Sequence, residues 1–252
     1  MADLLRVENL AKRFGGIIAT DDLTLDIVDG ELHAIIGPNG AGKTTLIAQL
    51  SGQYWPDSGR IYFAGNDITA VPMYARSALG LARTFQITSL FLDLSVLDNV
   101  ALAVQAHAGH SFHFWRDARR EPELRDPARA ALARVGLEGR ASLPASALSH
   151  GEHRQLELAM ALASRPRMLL LDEPMAGLGP EESTRMVAML RELKKELTIL
   201  LVEHDMEAVF ALADRITVLV YGRVIASGTP DDIRNNAQVR DAYLGEQEAS
   251  RG

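Results

Sequence analysis

The sequence contains no cysteine, no long apolar run and no excess of basic residues. Without cysteine there are no disulfides, no thiolate catalysis and no cysteine-ligated zinc or iron–sulfur centre, which fits a reducing compartment. No apolar stretch reaches the roughly 18 residues that a membrane span needs. The 26 Lys and Arg against 33 Asp and Glu give a net charge of −7, so we expect no nucleic-acid partner.

The beginning of the sequence has no basic segment followed by an apolar stretch, so we expect no secretory signal. Apolar residues make up 47% and charged residues 23% of the 252 positions, which is typical of a globular protein with a real hydrophobic core. We therefore expect a chain that stays in the cytosol and cannot cross a bilayer by itself.

The hydrophobic pattern predicts an α/β fold. Strands are predicted at 4–10, 17–27, 32–36, 59–65 and 81–85, with a helix over 43–51. The pattern is helical at 95–106, 127–135 and 152–164. Beyond Pro166, strands at 168–171, 198–202 and 216–221 alternate with helices at 180–196 and 206–213. Strands that alternate with helices imply a buried parallel sheet, which a helical insert interrupts here.

Residues 37–44 match the phosphate-loop pattern G-x-x-x-x-G-K-[ST], between a predicted strand and a predicted helix. Glycines let backbone N–H groups turn around an anion, and the helix N-terminus adds a positive field. We expect Lys43 at the β- and γ-phosphates and the Thr44 hydroxyl on Mg²⁺. The expected binding residues are Gly37, Pro38, Asn39, Gly40, Ala41, Gly42, Lys43, Thr44 and Thr45. The motif indicates a nucleoside triphosphate and leaves open what its energy drives.

Two acidic residues follow the predicted strand at 168–171. Because ligands gather at the carboxyl ends of parallel strands, Asp172 is expected on the same edge as the phosphate loop. There it would hold Mg²⁺ through its water shell, and Glu173 would polarise the water that attacks the γ-phosphate. The alternative is a plain turn, which the upstream phosphate loop disfavours.

Ser149 and Glu152 have the spacing of a capping box, which predicts the start of a helix. A cap alone satisfies backbone N–H groups and does nothing else. A capped N-terminus that carries the small residue Gly151 can also receive a phosphate.

In this order the motifs resemble those of the ATP-binding-cassette (ABC) ATPases, over nearly the whole chain. The resemblance rests on 37–44 (Walker A), Gln86, 148–152 (the signature), 169–173 (Walker B) and 203–205. It implies an α/β P-loop core with a mostly parallel sheet, an N-terminal antiparallel β subdomain and a helical subdomain insert. Within one domain, 1–252, the expected boundaries are 1–86 and 165–228 for the ATP-binding core, 87–164 for the helical subdomain and 229–252 for a C-terminal helical tail.

The resemblance also implies roles for single residues. Gln86 matches the Q-loop glutamine, which touches Mg²⁺ and the attacking water, and His204 matches the switch histidine, which contacts the γ-phosphate. Phe14 lies where the family places an aromatic ring that stacks on adenine, although a core aromatic at a strand end fits equally well. The expected catalytic set is Glu173, His204, Gln86 and Lys43, and the expected Mg²⁺ ligands are Thr44, Gln86 and Asp172.

Two motifs depart from the family pattern. The signature usually reads Leu-Ser-Gly-Gly-Gln, whereas His150 and Glu152 replace the first glycine and the glutamine here. His150 either tunes affinity or donates a hydrogen bond, and Ser149 and Gly151 remain the expected phosphate ligands. In the D-loop, 176–179, Gly179 stands where the family usually has an acidic residue.

The resemblance implies a homo- or heterodimer in which the signature of one protomer faces the Walker A loop of the other. Segments at 12–16, 82–86, 97–100, 172–178 and 239–245 are similar to the ATPases of branched-chain amino-acid importers. Those work at the cytoplasmic face of the inner or plasma membrane, with membrane permeases and an external substrate-binding protein. Urea, amide and lipopolysaccharide transport ATPases share several of these segments.

A free cytosolic ABC ATPase that remodels a soluble partner stays open as a second function. Such proteins usually have two fused cassettes or a long coiled coil, and this chain has neither. A third function is that of a nucleotide-binding regulator without hydrolysis, and the presence of Glu173 and His204 argues against it.

Two further segments allow more than one interpretation. Residues 85–100 would form part of the groove for a permease helix through Leu90, Phe91, Leu94 and Val96, or would be ordinary core. His107, His110 and His113 are three residues apart and lie among aromatic and arginine residues, which would suit a metal site or a stacking platform for nucleic acid. Because Gly109 weakens the helix that would align the histidines and the chain is acidic overall, a surface loop is favoured over both.

Overall fold

Two β-sheets and a group of helices make up residues 3–84, 90–108 and 121–241, the part of the chain that the computed structural model describes. The first sheet is antiparallel and has the order β2-β1-β4-β5. Its strands are β1 (Asp3–Phe14), β2 (Ile17–Val28), β4 (Ser58–Phe63) and β5 (Asn66–Asp67). This sheet confirms the predicted N-terminal antiparallel subdomain.

The second sheet has the order β10-β9-β3-β8-β7-β6. Its strands are β3 (Leu32–Ile36), β6 (Leu81–Arg83), β7 (Met168–Asp172), β8 (Thr198–Val202), β9 (Arg215–Val220) and β10 (Arg223–Gly228). All neighbours pair in parallel except β10, which is antiparallel to β9. In this register Val202 lies opposite both Asp172 and Ile35, so the carboxyl ends of β3, β7 and β8 meet at one edge, as the sequence predicts.

The parallel sheet separates two hydrophobic cores. Successive side chains of a strand point to opposite faces. In β3, Ala34 and Ile36 therefore join the core on one face while Ile35 joins the other, and in β7 Leu171 and Leu170 divide in the same way. Because both faces are covered, β3, β7 and β8 are buried along their whole length.

The helices of the described residues are α1 (Lys43–Ser51), α2 (Met73–Ala78), α3 (Val96–Ala108), α4 (Pro122–Arg134), α5 (His150–Ala163), α6 (Pro180–Leu193), α7 (Met206–Leu212) and α8 (Pro230–Asn235). Val100 of α3, Leu132 of α4 and Leu156 of α5 are all fully buried in the larger core. These three helices fall within the predicted segment 87–164, whose boundaries stay a prediction. None of the helices in the described residues is long and apolar enough to span a bilayer.

Arg76 holds the end of α1 from inside the protein. Its side chain is fully buried and donates hydrogen bonds to the carbonyls of Gln49 and Leu50 in α1 and of Thr69 and Val71. Burial lowers the pKa of this guanidinium to about 10. The last carbonyls of a helix have no partner within it, so Arg76 stabilises the helix that carries the phosphate loop.

Candidate functional site

The phosphate loop is held tightly between β2 and the turn that joins β9 to β10. A Cβ on Gly37 would lie 2.1 Å from the Leu219 carbonyl oxygen, and one on Gly42 would lie 2.0 Å from that of Ala19. The Gly222 N–H also donates to the Ala41 carbonyl at 2.9 Å. Because only glycine fits at these two positions, the loop conformation is fixed by its backbone contacts.

The N-terminus of α1 opens onto this loop. No side chain among the described residues caps it, and its first turn contains no acidic residue. The first-turn N–H groups of a helix have no partner within it, so this end attracts an anion. Lys43 Nζ donates to the carbonyls of Gly37 (2.6 Å) and Pro38 (2.9 Å). Thr44 and Thr45 lie in the same first turn, and Asn39 and Gly40 are exposed at the tip of the loop.

Asp172 lies at the end of β7 with its side chain fully buried. Arg83 Nη2 donates to its Oδ2 at 3.1 Å, while Oδ1 has no hydrogen-bond partner among the described residues. Burial raises the pKa of Asp172, and the positive charges of Arg83 and Lys43 oppose this rise. A buried carboxylate oxygen without a donor, beside a phosphate loop, has the chemistry that Mg²⁺ prefers. The residues present therefore fit a magnesium ion.

Arg83 is a site residue that the motifs alone do not identify. Besides Asp172, its guanidinium donates to Gln53 Oε1 at 2.7 Å and to Ser51 Oγ at 3.4 Å, both at the end of α1. Arg83 thus connects the phosphate-loop helix to the acidic end of β7. The only sign of this role in the sequence is a single arginine in a short, mostly apolar strand. Its partner Asp172 is 89 residues away.

Glu173 and His204 are neighbours at the carboxyl edge of the sheet. His204 Nδ1 lies 4.0 Å from Glu173 Oε1, and both side chains reach solvent. Glu173 has a φ of +50°, which is uncommon for a residue other than glycine. Such backbone strain is held in place by surrounding contacts and is frequent at functional sites.

Glu203 supplies those contacts from the inner side. Its carboxylate is buried and accepts the N–H groups of Met175 (2.9 Å), His204 (3.0 Å) and Asp205 (3.3 Å). It therefore connects the turn after Glu173 to the backbone of His204. The sequence shows only an acid beside the histidine, and its bond to Met175 follows from the fold.

The signature forms the capping box that the sequence predicts at the start of α5. Ser149 Oγ accepts the Glu152 N–H at 3.2 Å, and Glu152 Oε2 accepts the Ser149 N–H at 2.9 Å. This leaves the hydroxyl proton of Ser149 for another acceptor. The Ser149 N–H lowers the pKa of Glu152, as does Arg140, whose Nε donates to Oε1 at 3.0 Å. Arg140 explains why a carboxylate suits this position.

Phe14 lies at the end of β1 with 42% of its surface exposed. Its ring packs edge-on against Tyr54, with ring centroids 5.4 Å apart, and Lys12 Nζ lies 5.6 Å from its centroid. The interpretation as a core aromatic is therefore wrong, and the ring faces solvent beside a second aromatic residue.

Other predicted positions are only partly described. Gln86, His110 and His113 lie outside the described residues, as does the end of the segment 239–245. In the segment 90–100, Phe91 is exposed and Val96 is buried, so this stretch is neither entirely core nor entirely exposed surface for a permease helix. Within the described ranges, no group of three or more histidine, cysteine or acidic side chains is placed to hold a metal ion.

Comparisons with known proteins agree with this geometry. The sequence matches the family described as ABC transporter over residues 20–176, and the family described as branched-chain amino acid ATP-binding cassette transporter over 223–249. It is 39% identical over 250 residues to the high-affinity branched-chain amino acid transport ATP-binding protein BraF of Pseudomonas aeruginosa, covering 96% of this chain and 98% of that protein. LivG of Escherichia coli K12, with the same description, is 39% identical over 252 residues, with the same coverage.

Solved structures give the same result for the fold. The ADP conformation of MJ1267, an ATP-binding cassette of an ABC transporter, superposes with a TM-score of 0.86 at 30% identity, covering 97% of this chain and 100% of that one. The dimeric post-hydrolysis state of the cassette MJ0796, bound to ADP and Pi, has a TM-score of 0.75 at 24% identity and covers 90% and 98%. At that identity it supports the fold alone.

Proposed function

The chain belongs to the ABC transporter family as an ATP-hydrolysing subunit, and on this premise we propose that it powers the import of branched-chain amino acids through membrane permeases. The observation that carries the substrate class is the identity of 39%, across 96% of the chain, to BraF and LivG. The separate match of residues 223–249 to a branched-chain amino acid transporter family supports it.

The nucleotide phosphates would lie in the loop 37–44, at the open N-terminus of α1. There the glycine backbone sets the shape and Lys43 supplies a positive charge. Asp172, whose Oδ1 has no donor among the described residues, would hold Mg²⁺ through the water shell of the ion, with Thr44 and Gln86 as further ligands. When bound, the ion neutralises charge on the phosphate oxygens. Phe14 is the proposed adenine contact, since its ring is partly exposed at the end of β1.

Glu173 would orient and polarise the attacking water from the carboxyl edge of the sheet. His204, 4.0 Å away, would contact the γ-phosphate on the same side. Glu203 holds the backbone just after Glu173, at Met175, and the backbone of His204, and would in this way keep the two residues in place relative to each other. Positioning of this kind supplies much of the catalysis in phosphoryl transfer.

The signature would act on the nucleotide of a second protomer. The Ser149 hydroxyl donates to no group of the capping box, so its proton can be donated to a γ-phosphate oxygen. ATP would then bridge two protomers, and its hydrolysis would let them separate. A second copy of this chain and a related chain both satisfy this arrangement.

The permeases would dock on the helical subdomain at the cytoplasmic face of the membrane. Phe91, Leu92 and Leu102 are large apolar residues that stay exposed in the predicted subdomain, and such residues would suit a contact with a permease helix. An external binding protein would deliver the amino acid to the permeases.

Uptake and co-purification test this proposal together. Deleting the chain from its source cell should abolish uptake of radiolabelled leucine, and the wild-type chain, but not Lys43→Ala, should restore it. Urea uptake should be unaffected, which distinguishes a urea importer. The tagged chain should co-purify with integral membrane permeases from detergent extracts. Normal leucine uptake in the deletion strain would overturn the substrate class, and recovery from the cytosol with no permease would favour a free ATPase.

A further inference from the structure

The turn that follows Glu173 is bonded on its inner side. The Ala176 N–H donates to the Glu173 carbonyl at 3.1 Å, and the Leu178 N–H donates to the Met175 carbonyl at 3.1 Å. Glu203 accepts the Met175 N–H from the core. Glu173, with its strained backbone, is therefore the first residue of a short turn. The position of this turn affects where the Glu173 carboxylate points.

His150 contacts the outer side of the same turn. Its Nε2 lies 3.5 Å from the Ala176 carbonyl oxygen, and a Cβ on Gly177 would come within 3.0 Å of that nitrogen. Gly177 has a φ of +78°, so its backbone conformation and its close approach to the ring both favour glycine. The imidazole therefore lies against the backbone at Ala176 and Gly177, and a side chain at position 177 would crowd it.

Gly151, the residue after His150, makes a second contact, between the start of α5 and the start of α6. A Cβ on Gly151 would lie 2.5 Å from Glu182 Oε1, and the other oxygen of Glu182 accepts the Gly179 N–H at 3.2 Å. The N-terminus of α5 therefore packs against both ends of the segment 176–182. Gly151 fits closely here for a reason unrelated to phosphate.

We propose that His150 is a positioning residue for Glu173, acting through Ala176. Ala176 joins the two: its N–H is bonded to the Glu173 carbonyl and its carbonyl faces His150 Nε2. The contact through Ala176 fixes Glu173, the proposed base, relative to Ser149, which is adjacent to His150 in the sequence. The phosphate contact of the signature and the base would then move as one unit. This inference rests on the proposed role of Glu173, and it gives a reason for a side chain where the family usually has glycine.

The test compares His150→Ala with His150→Gln, and uses His153→Ala as the matched control. His153 is one helical turn further along α5, and its Nε2 bonds the Ala145 carbonyl at 2.8 Å, away from the turn. Loss of this contact, worth about 0.5–1 kcal/mol as a hydrogen bond, should lower kcat about two- to fivefold in His150→Ala. KM for ATP should stay unchanged. A glutamine side chain carries an N–H where the imidazole has Nε2, so His150→Gln should keep most of kcat, and His153→Ala should match the wild type.

Hydrogen exchange gives a readout that does not depend on turnover. Peptides covering 173–179 should exchange faster in His150→Ala, and those around 145 should do so in His153→Ala. A wild-type kcat in His150→Ala, or an equal loss in His150→Gln, overturns the inference. The activity of Glu173→Gln separates failure of the proposed function from failure of this inference. If Glu173→Gln is active, the role of Glu173 is wrong. If it is inactive while His150→Ala has a normal kcat, only the role of His150 is wrong.

Discussion

Arg83 Nη2 lies 3.1 Å from Asp172 Oδ2, and this pair is the buried charge contact that joins β6 to the acidic end of β7. The Asp172 side chain is fully buried and that of Arg83 is 10% exposed. Arg167 and Asp29 form a comparable pair at 3.4 Å whose side chains are more than half exposed. The two pairs share their chemistry and differ in burial.

This difference predicts a large contrast in stability. Arg83→Met leaves Asp172 buried without its cation, and breaking a buried pair in this way costs about 3–5 kcal/mol. Arg167→Met breaks a solvent-screened pair and costs about 0–1 kcal/mol. Urea unfolding of the two variants measures the free energies. Similar losses in both would show that the buried pair has no special importance.

The phosphate loop allows a second matched comparison. Both Gly40 (φ +78°) and Gly42 (φ +99°) have left-handed backbones, but a Cβ on Gly40 meets nothing within 4 Å. Gly40→Ala should therefore cost about 1 kcal/mol, from backbone strain alone. Gly42→Ala should cost clearly more, because the Ala19 carbonyl must also move. Unfolding by urea, without nucleotide, measures both variants, and equal losses would argue against the tight packing of the loop.

His33 predicts how stability depends on pH. Its side chain is buried in β3, between Glu31 and Thr217. Burial lowers the pKa of His33 below its ordinary value of 6.5, although Glu31 opposes this. The unfolded chain therefore binds more protons than the folded chain below pH 6.5, so the free energy of unfolding falls as the pH decreases through that range, by at most about 1.4 kcal/mol per pH unit.

Replacement of the histidine tests this. His33→Gln should show a smaller loss of stability between pH 7.5 and 5.5 than the wild type, when urea unfolding is compared at about these two values. His107, which is exposed in α3, provides the control, and His107→Gln should keep the wild-type dependence. If His33→Gln kept it as well, another group would be responsible.

The sequence predicts the regular elements well where the pattern is local. β3, β8 and α1 have the predicted bounds: glycines lie close to both ends of β3 and of α1, and a continuous apolar run that ends at the acidic Glu203 marks β8. The helix predicted at 127–135 begins instead at Pro122, since two prolines five residues apart both suit a first turn. The hydrophobic pattern does not predict α2 or β10. α2 has six residues and is anchored by Arg76, whose bonds reach back to α1 across 27 residues.

The site divides in the same way. Lys43, Asp172 and Ser149 belong to short motifs, so their neighbours in the sequence identify them. Arg83 and Glu203 act through partners that the fold brings from 89 and 28 residues away, and no local pattern marks such pairs. The contact between His150 and Ala176 spans 26 residues and is likewise visible only in the folded chain.

The most direct test of the proposed mechanism is the turnover of Glu173→Gln. The amide keeps the size of the side chain but cannot polarise water as a carboxylate does, so ATP hydrolysis should fall by at least about 100-fold. ATP affinity should stay within about twofold of the wild type, because the phosphate loop is untouched and such a change is under about 0.5 kcal/mol. Loss of turnover with retained ATP binding is the predicted result. Hydrolysis at a near wild-type rate by a folded Glu173→Gln variant would contradict it.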